Sequence, residues 1–222
     1  MNNDFFHGPL MELMTDSIYS EQRKKLLDLG ASFLTIEESN KINFPKLFDS
    51  LRFRNDEFDS YLALPKREFI NLALPYEVYE HKERKVDGVS FAALIEKYVN
   101  DTFEETKFIF SANPDDFLAL KFTNYSFGLL SVLFCTHPNT PIVLFDGSLK
   151  KVILFHFDLR ITILSRHPNL AAEKVNNKED QYWIDFFNEN FVSAVSQGNQ
   201  YHLDLINANY VPRLTGGKCF SF

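Results

Sequence analysis

Cysteine is nearly missing from this sequence: two residues, Cys135 and Cys219, stand among 222. Two thiols so far apart make neither a disulfide framework nor a four-ligand zinc cluster. Both read as free thiols of a reducing compartment, and a cytoplasmic protein is the expectation. The start, Met1-Asn2-Asn3-Asp4-Phe5-Phe6, carries no positive n-region and no apolar h-region, so no secretory signal is read there. Long apolar runs are missing as well. The longest, from Phe127 to Cys135, is about half of the roughly 20 residues that a membrane helix requires. Positive charge is in deficit, with 23 Lys and Arg against 30 Asp and Glu, a formal net charge of −7. A chain of that sign is repelled by phosphate backbones and anionic bilayers, so neither nucleic acid nor membrane is expected as a partner.

Repeats, low-complexity tracts and Pro/Gly/Ser linkers are absent too, and a single domain over 1–222 is expected. The charged run His81-Lys82-Glu83-Arg84-Lys85, followed by the turn signal Asp87-Gly88, is the one soft boundary. It would divide a helical subdomain (10–85) from an α+β subdomain (88–211), with a mobile tail over 212–222.

Phenylalanine, in contrast, is abundant at 24 residues. Each ring buries about 150–250 Å² and asks for no hydrogen-bond partner, which favours a dry core.

Periodicity predicts an α+β fold with a helical N-terminal half, then a mostly antiparallel sheet, then a long C-terminal amphipathic helix packed on it. Ser17 or Ser20 is placed to cap a helix over Glu21–Leu29, with Gly30 as its left-handed C′ residue. Short helices are read at Pro45–Phe53, Glu57–Ala63 and Lys66–Leu72, and a stronger one after Ser90, with Phe91, Leu94, Ile95, Tyr98 and Val99 on its apolar face. From Lys107 the period becomes extended: Lys107–Ser111, Ser126–Cys135, Ile142–Phe145, Lys151–Phe157 and Leu159–Leu164 read as strands. Asn113 starts a short helix, Asn177 caps the long one around Trp183, and Tyr201–Ile206 reads as a last strand.

No catalytic signature stands out. The most regular pattern is the alternation from Phe155 to Ile163. On one extended strand it places Phe155, Phe157, Leu159, Ile161 and Ile163 on a core face, and His156, Asp158, Arg160 and Thr162 on the other. Neighbours on that polar face stand roughly 6.5–7 Å apart, so Asp158 is placed to orient His156 as a general base or to pair with Arg160. A half-exposed sheet with a polar outer face produces the same spacing. Ile142-Val143-Leu144-Phe145-Asp146-Gly147-Ser148 superficially resembles the nucleophile strand of aspartate-dependent phosphatases. Ser148 stands where the second acid belongs, so Asp146-Gly147 reads as a hairpin turn instead. Cys135, among apolar residues, reads as inert. The six histidines show no metal-binding spacing, and neither a metal nor a cofactor is expected.

Acids recur without a motif: Asp56-Glu57 with Asp59, and Glu104-Glu105, are the densest outside the expected sheet. Solvated surface explains them, and so does a face for a basic partner. The expected function is therefore a non-enzymatic protein-binding domain, inhibitor- or immunity-like, with a basic protein as partner and Asp56, Glu57, Asp59, Glu104 and Glu105 as binding residues. The alternative is an enzyme or small-ligand protein whose site is His156, Asp158 and Arg160.

Overall fold

The computed structural model describes residues 13–42, 52–55, 60–63, 68–73, 85–86, 89–111, 119–136, 141–156 and 161–166. The expected helix at Asn113, the helix around Trp183, the strand Tyr201–Ile206 and the tail from Pro212 lie outside them.

Helix α1 spans Ser20–Asp28 and is preceded by a 3₁₀ turn at Ser17–Tyr19. Neither Ser17 nor Ser20 is the cap. Asp16 caps the 3₁₀ turn, its carboxylate accepting from the Ile18 N–H at 3.0 Å, and Tyr19 stands at the N-cap position of α1. Gly30 ends the helix as expected, at φ 81°. Its N–H donates to the Leu27 carbonyl at 2.9 Å while that of Ala31 reaches Leu26 at 3.0 Å, the paired bonds of a Schellman ending. Strand β1 (Ser32–Phe33) and helix α2 (Ile36–Lys41) follow. Thr35 and Glu38 form a reciprocal capping box at the start of α2. Those bonds from Thr35 hold the Glu38 carboxyl below its ordinary range.

Of the short helices expected in the first half, Glu57–Ala63 and Lys66–Leu72 give way to strands over their described residues, whereas Pro45–Phe53 lies outside the described residues except for Arg52 and Phe53, which belong to a strand. Over that stretch the chain makes β2 (Arg52–Asn55), β3 (Ser60–Ala63) and β4 (Glu68–Ala73), then β5 (Lys85–Val86) and β6 (Val89–Ser90). Apolar residues in segments this short suit a period of 2 as well as 3.6, and strand pairing decides between them.

Helix α3 (Phe91–Thr102) buries Ile95, Tyr98 and Val99, as its period predicts. Strands β7 (Lys107–Ser111) and β8 (Ala119–Phe122) come next. The segment Ser126–Cys135 is not a strand but part of helix α4, Phe127–Thr136. A continuous apolar run carries no period of its own. Here Leu129, Leu130, Leu133 and Phe134 are buried and Ser131 and Cys135 are exposed, which is a helical stripe. Cys135 is accordingly at the surface, not embedded. Strands β9 (Ile142–Asp146), β10 (Lys151–His156) and β11 (Ile161–Arg166) complete the described chain. None of its helices is long and apolar enough to cross a membrane.

Seven strands form one sheet in the order β1-β8-β7-β9-β10-β11-β4, with every pairing antiparallel. Strands β8 and β9 flank β7, so α4, which joins them, crosses over it. The fold is α+β, with strands already interspersed in the first half.

Register separates the two faces. Ile109, Leu120, Phe122, Ile142, Leu144, Ile153, Phe155 and Leu164 share one face and join a core cluster with Leu26 of α1, Ile95, Tyr98 and Val99 of α3, and Leu129, Leu130, Leu133 and Phe134 of α4. Phe110, Val143, Phe145, Leu154 and Ile163 share the other face and are buried too. The alternation from Phe155 to Ile163 is thus not one strand. His156 pairs with Ile161 and Phe155 with Thr162, so the chain reverses between them and an odd-numbered residue of β10 shares its face with an even-numbered one of β11. Thr162 lies beside Phe155 on the helix-packed face, and Ile163 lies opposite.

Two outcomes check this packing. Phe155 is buried and stacked against Tyr125 at 6.4 Å between ring centroids, so Phe155→Ala is expected to cost about 3–5 kcal/mol in chemical denaturation. Among the described residues the Thr162 hydroxyl is buried without a hydrogen-bond partner. Thr162→Val is therefore expected to raise stability by about 1 kcal/mol, whereas a loss of that size would mean the hydroxyl is satisfied.

Candidate functional site

Strands β7, β9, β10 and β11 bring charged residues to one end of the helix-packed face. Lys107 pairs with Asp146, and Lys151 with Arg166, which in turn pairs with Glu68 of β4. One register step beyond the paired Val152 and Phe145, Lys151 stands beside Asp146. The row reads Lys107, Asp146, Lys151, Arg166, Glu68 across five strands. Three of these side chains are nearly inaccessible: Lys107 is 3 % exposed, Asp146 2 % and Arg166 8 %. The Lys151 ammonium lies over the buried Tyr98 ring, 5.8 Å from its centroid, a favourable cation–π distance.

Charges buried to this degree persist only when hydrogen-bonded, and Lys107 and Asp146 grip backbone. Lys107 Nζ donates to the Thr123 carbonyl at 2.7 Å and to the Glu105 carbonyl at 3.3 Å. Asp146 Oδ2 accepts from the Glu104 N–H at 3.1 Å, and its Oδ1 accepts from the Ser148 N–H at 3.0 Å and the Ser148 hydroxyl at 2.5 Å. Burial pushes the Lys107 ammonium below the ordinary lysine value of 10.5, opposed by the negative charges of Asp146 and Glu105. Helix α3 adds two clamps. Asn100 imitates a strand partner for Tyr125, donating to its carbonyl at 2.9 Å and accepting from its N–H at 2.8 Å. Glu96 accepts from the Phe127 N–H at 3.0 Å, placing a carboxylate at the positive end of α4.

This polar frame fixes the loop from Phe103 to Thr106 and the loop from Thr123 to Ser126, with the Asp146-Gly147 turn beside them. That turn forms as expected: the Leu149 N–H returns to the Asp146 carbonyl at 3.1 Å, and Leu149 takes up φ 54°. Glu104 and Glu105 are exposed on the first loop, next to exposed Thr123, Asn124, Gly147 and Lys150. A Cβ added to Gly147 would come 3.6 Å from Glu104 Oε2, so the carboxylate of Glu104 rests against the turn.

The structure does not bring the other sequence candidates to this place. His156 ends β10 at the opposite end of the sheet from Lys151, roughly 17 Å along the strand. Asp158 and Arg160 lie outside the described residues, as do Asp56, Glu57 and Asp59 in the segment joining β2 to β3. Among the described residues no three His, Cys, Asp or Glu side chains converge as a metal would need. Sequence reasoning missed Lys107 and Asp146 as a frame. Lys107 reads as an ordinary first strand residue and Asp146 as a turn former, and the partner of Asp146 lies 42 positions away. Compared with known proteins, the chain matches no family model, no curated protein and no solved structure.

Lys107 sets a pH dependence whose sign is fixed. Between its lowered value in the folded chain and 10.5, the unfolded chain holds a proton that the folded chain has released, so folding gains stability as pH rises across that window. Lys107→Met lacks this contribution. The stability of the wild type minus that of Lys107→Met, from urea melts stepped upward to pH 10.5, is expected to increase with pH. A flat difference would mean that the amine is not desolvated.

Proposed function

We propose that this chain is a non-enzymatic protein-binding domain that presents an acidic face to a basic protein partner, in the manner of an inhibitor or immunity protein. One observation carries the reading. Glu104 and Glu105 are exposed on a loop whose backbone is gripped from beneath by two buried charges, Asp146 on the Glu104 N–H and Lys107 on the Glu105 carbonyl. A loop ordered before binding avoids most of the ordering cost of association, and carboxylates held in place steer a cationic surface from a distance. The formal net charge of −7 adds a long-range field of the same sign.

The experiment is kinetic. With a basic partner recovered from the native host, association is measured by surface plasmon resonance as salt is raised, for the wild type and for Glu104→Lys with Glu105→Lys. Association is expected to slow steeply with salt and by about tenfold on charge reversal, while dissociation changes much less. The thermal midpoint should stay nearly unchanged, since exposed charges contribute little to stability. An association rate indifferent to both salt and reversal would remove the electrostatic basis of the reading.

A further inference from the structure

The sheet has a second apolar face, turned away from α1, α3 and α4, and we infer that it is the docking surface of the chain's own C-terminal segment: residues 178–197 seat there as an amphipathic helix along β9, β10 and β11. The inference goes beyond the protein-binding reading and does not rest on it.

Burial on that face has a direction. Register lines up Lys121, Phe108, Phe145, Val152 and Ser165 across β8, β7, β9, β10 and β11. Lys121 is exposed and Phe108 half-buried, whereas Phe145 and Val152 are 0 % exposed and Ser165 1 %. In the next row Phe110, Val143, Leu154 and Ile163 are all at 0 %. Burial is therefore near complete on β9, β10 and β11 in both rows and gives out on β7 and β8 in one of them. A sheet face without a layer on it would expose these side chains. Three strands at about 4.8 Å spacing are about 10 Å wide, the diameter of one helix.

The described helices are engaged elsewhere. Residues of α1, α3 and α4 join the cluster on the opposite face, and α2, six residues long, follows β1 at the other edge of the sheet. The chain leaves β11 at Arg166, beside the most deeply buried strands, and continues from 167 to 222 outside the described residues. No other stretch outside them is longer than 12 residues. Within this one, Trp183, Ile184, Phe187, Phe191 and Val195 recur at helical spacing, with Lys178, Asp185, Glu189 and Ser196 on the opposite side. Asn177 stands at the cap, Glu179 and Asp180 in the first turn and Gly198 past the end. From Trp183 to Val195 the apolar stripe is roughly 18 Å long. A six-residue strand such as β10 is roughly 20 Å long. Stripe and strands match in length, and the helix would complete a three-layer arrangement with the sheet in the middle.

Trp183 is the only tryptophan of the chain, which gives the test an unambiguous probe. Nuclear Overhauser contacts from the Trp183 indole and the Phe187 ring to methyl groups are recorded on the full wild-type chain. They are expected to reach the far-face methyls of Val143, Leu154 and Ile163 and to be absent at Leu144, Ile153 and Leu164 on the helix-packed face. A sample mixing labelled and unlabelled chains separates contacts within one molecule from contacts between two. In Trp183→Ala, loss of the ring current should shift the methyl signals of Val143, Leu154 and Ile163 and leave those of the other three in place. Contacts to the helix-packed set, contacts to neither set, or contacts found only between two chains each overturn the inference. If the variant does not fold, the wild-type contacts alone decide. No binding partner enters the measurement, so its outcome and that of the kinetic experiment on Glu104 and Glu105 are independent.

Discussion

Strand β7 is buried from both sides, and the architecture follows from that constraint. Ile109 faces the helices and Phe110 faces away from them, yet neither is accessible to solvent. A strand in that position cannot leave a backbone group unpaired, and β8 and β9 supply partners on its two edges. Its apolar residues then occupy consecutive positions, Phe108-Ile109-Phe110, where a half-exposed strand would alternate. Phe108 and Phe110 meet Phe145 of β9 on the far face, one ring stacked at 5.5 Å and the other edge-on at 6.3 Å. A core of phenylalanine suits this arrangement because it fills both sides without asking for hydrogen bonds.

Where β7 begins, the same burial creates a problem that polar side chains resolve. The loops that enter and leave the sheet there carry peptide groups close to a dry interior, and each must find a partner. Lys107, Asp146 and Asn100 reach from regular structure to a loop backbone, and Glu96 reaches the first N–H of α4. A long side chain is suited to such a reach, since Lys107 buries its methylenes and delivers its ammonium to two carbonyls. Two carboxylates exposed on the loop are therefore mounted on a support whose geometry the core dictates.

The parts of this fold that were legible in the sequence are those specified by neighbouring residues. Gly30 after an amphipathic stretch marks a helix end because only a left-handed residue closes it, and Asp146-Gly147 between two apolar runs marks a turn for a similar reason. Helix α3 carries its own period, and strands β7 and β9 are short apolar runs of β-branched and aromatic residues bounded by polar and turn residues. Helix α4 was illegible because an apolar run from Phe127 to Cys135 is equally consistent with a buried strand, and the deciding fact is its crossing over β7. The β10–β11 hairpin was illegible because its alternation continues unbroken through the reversal, so that a period of 2 conceals a change of face. As for the candidate site, the exposure of Glu104 and Glu105 followed from their charge. The grip beneath them did not, since it joins residues that are close only once the sheet has formed.

The pairing of β4 with β11 bears on the order in which the molecule is made. Ala73 and Thr162 lie opposite one another although about 90 residues separate them along the chain, and closing so long a loop is entropically slow. A ribosome adding about 5–20 residues per second takes roughly 4–18 seconds to cover that interval. Throughout it, the strand that β4 will join has not yet been made. The nascent chain thus carries the β4 segment before its sheet partner is made, which is a period in which it is exposed to pairing with the wrong chain.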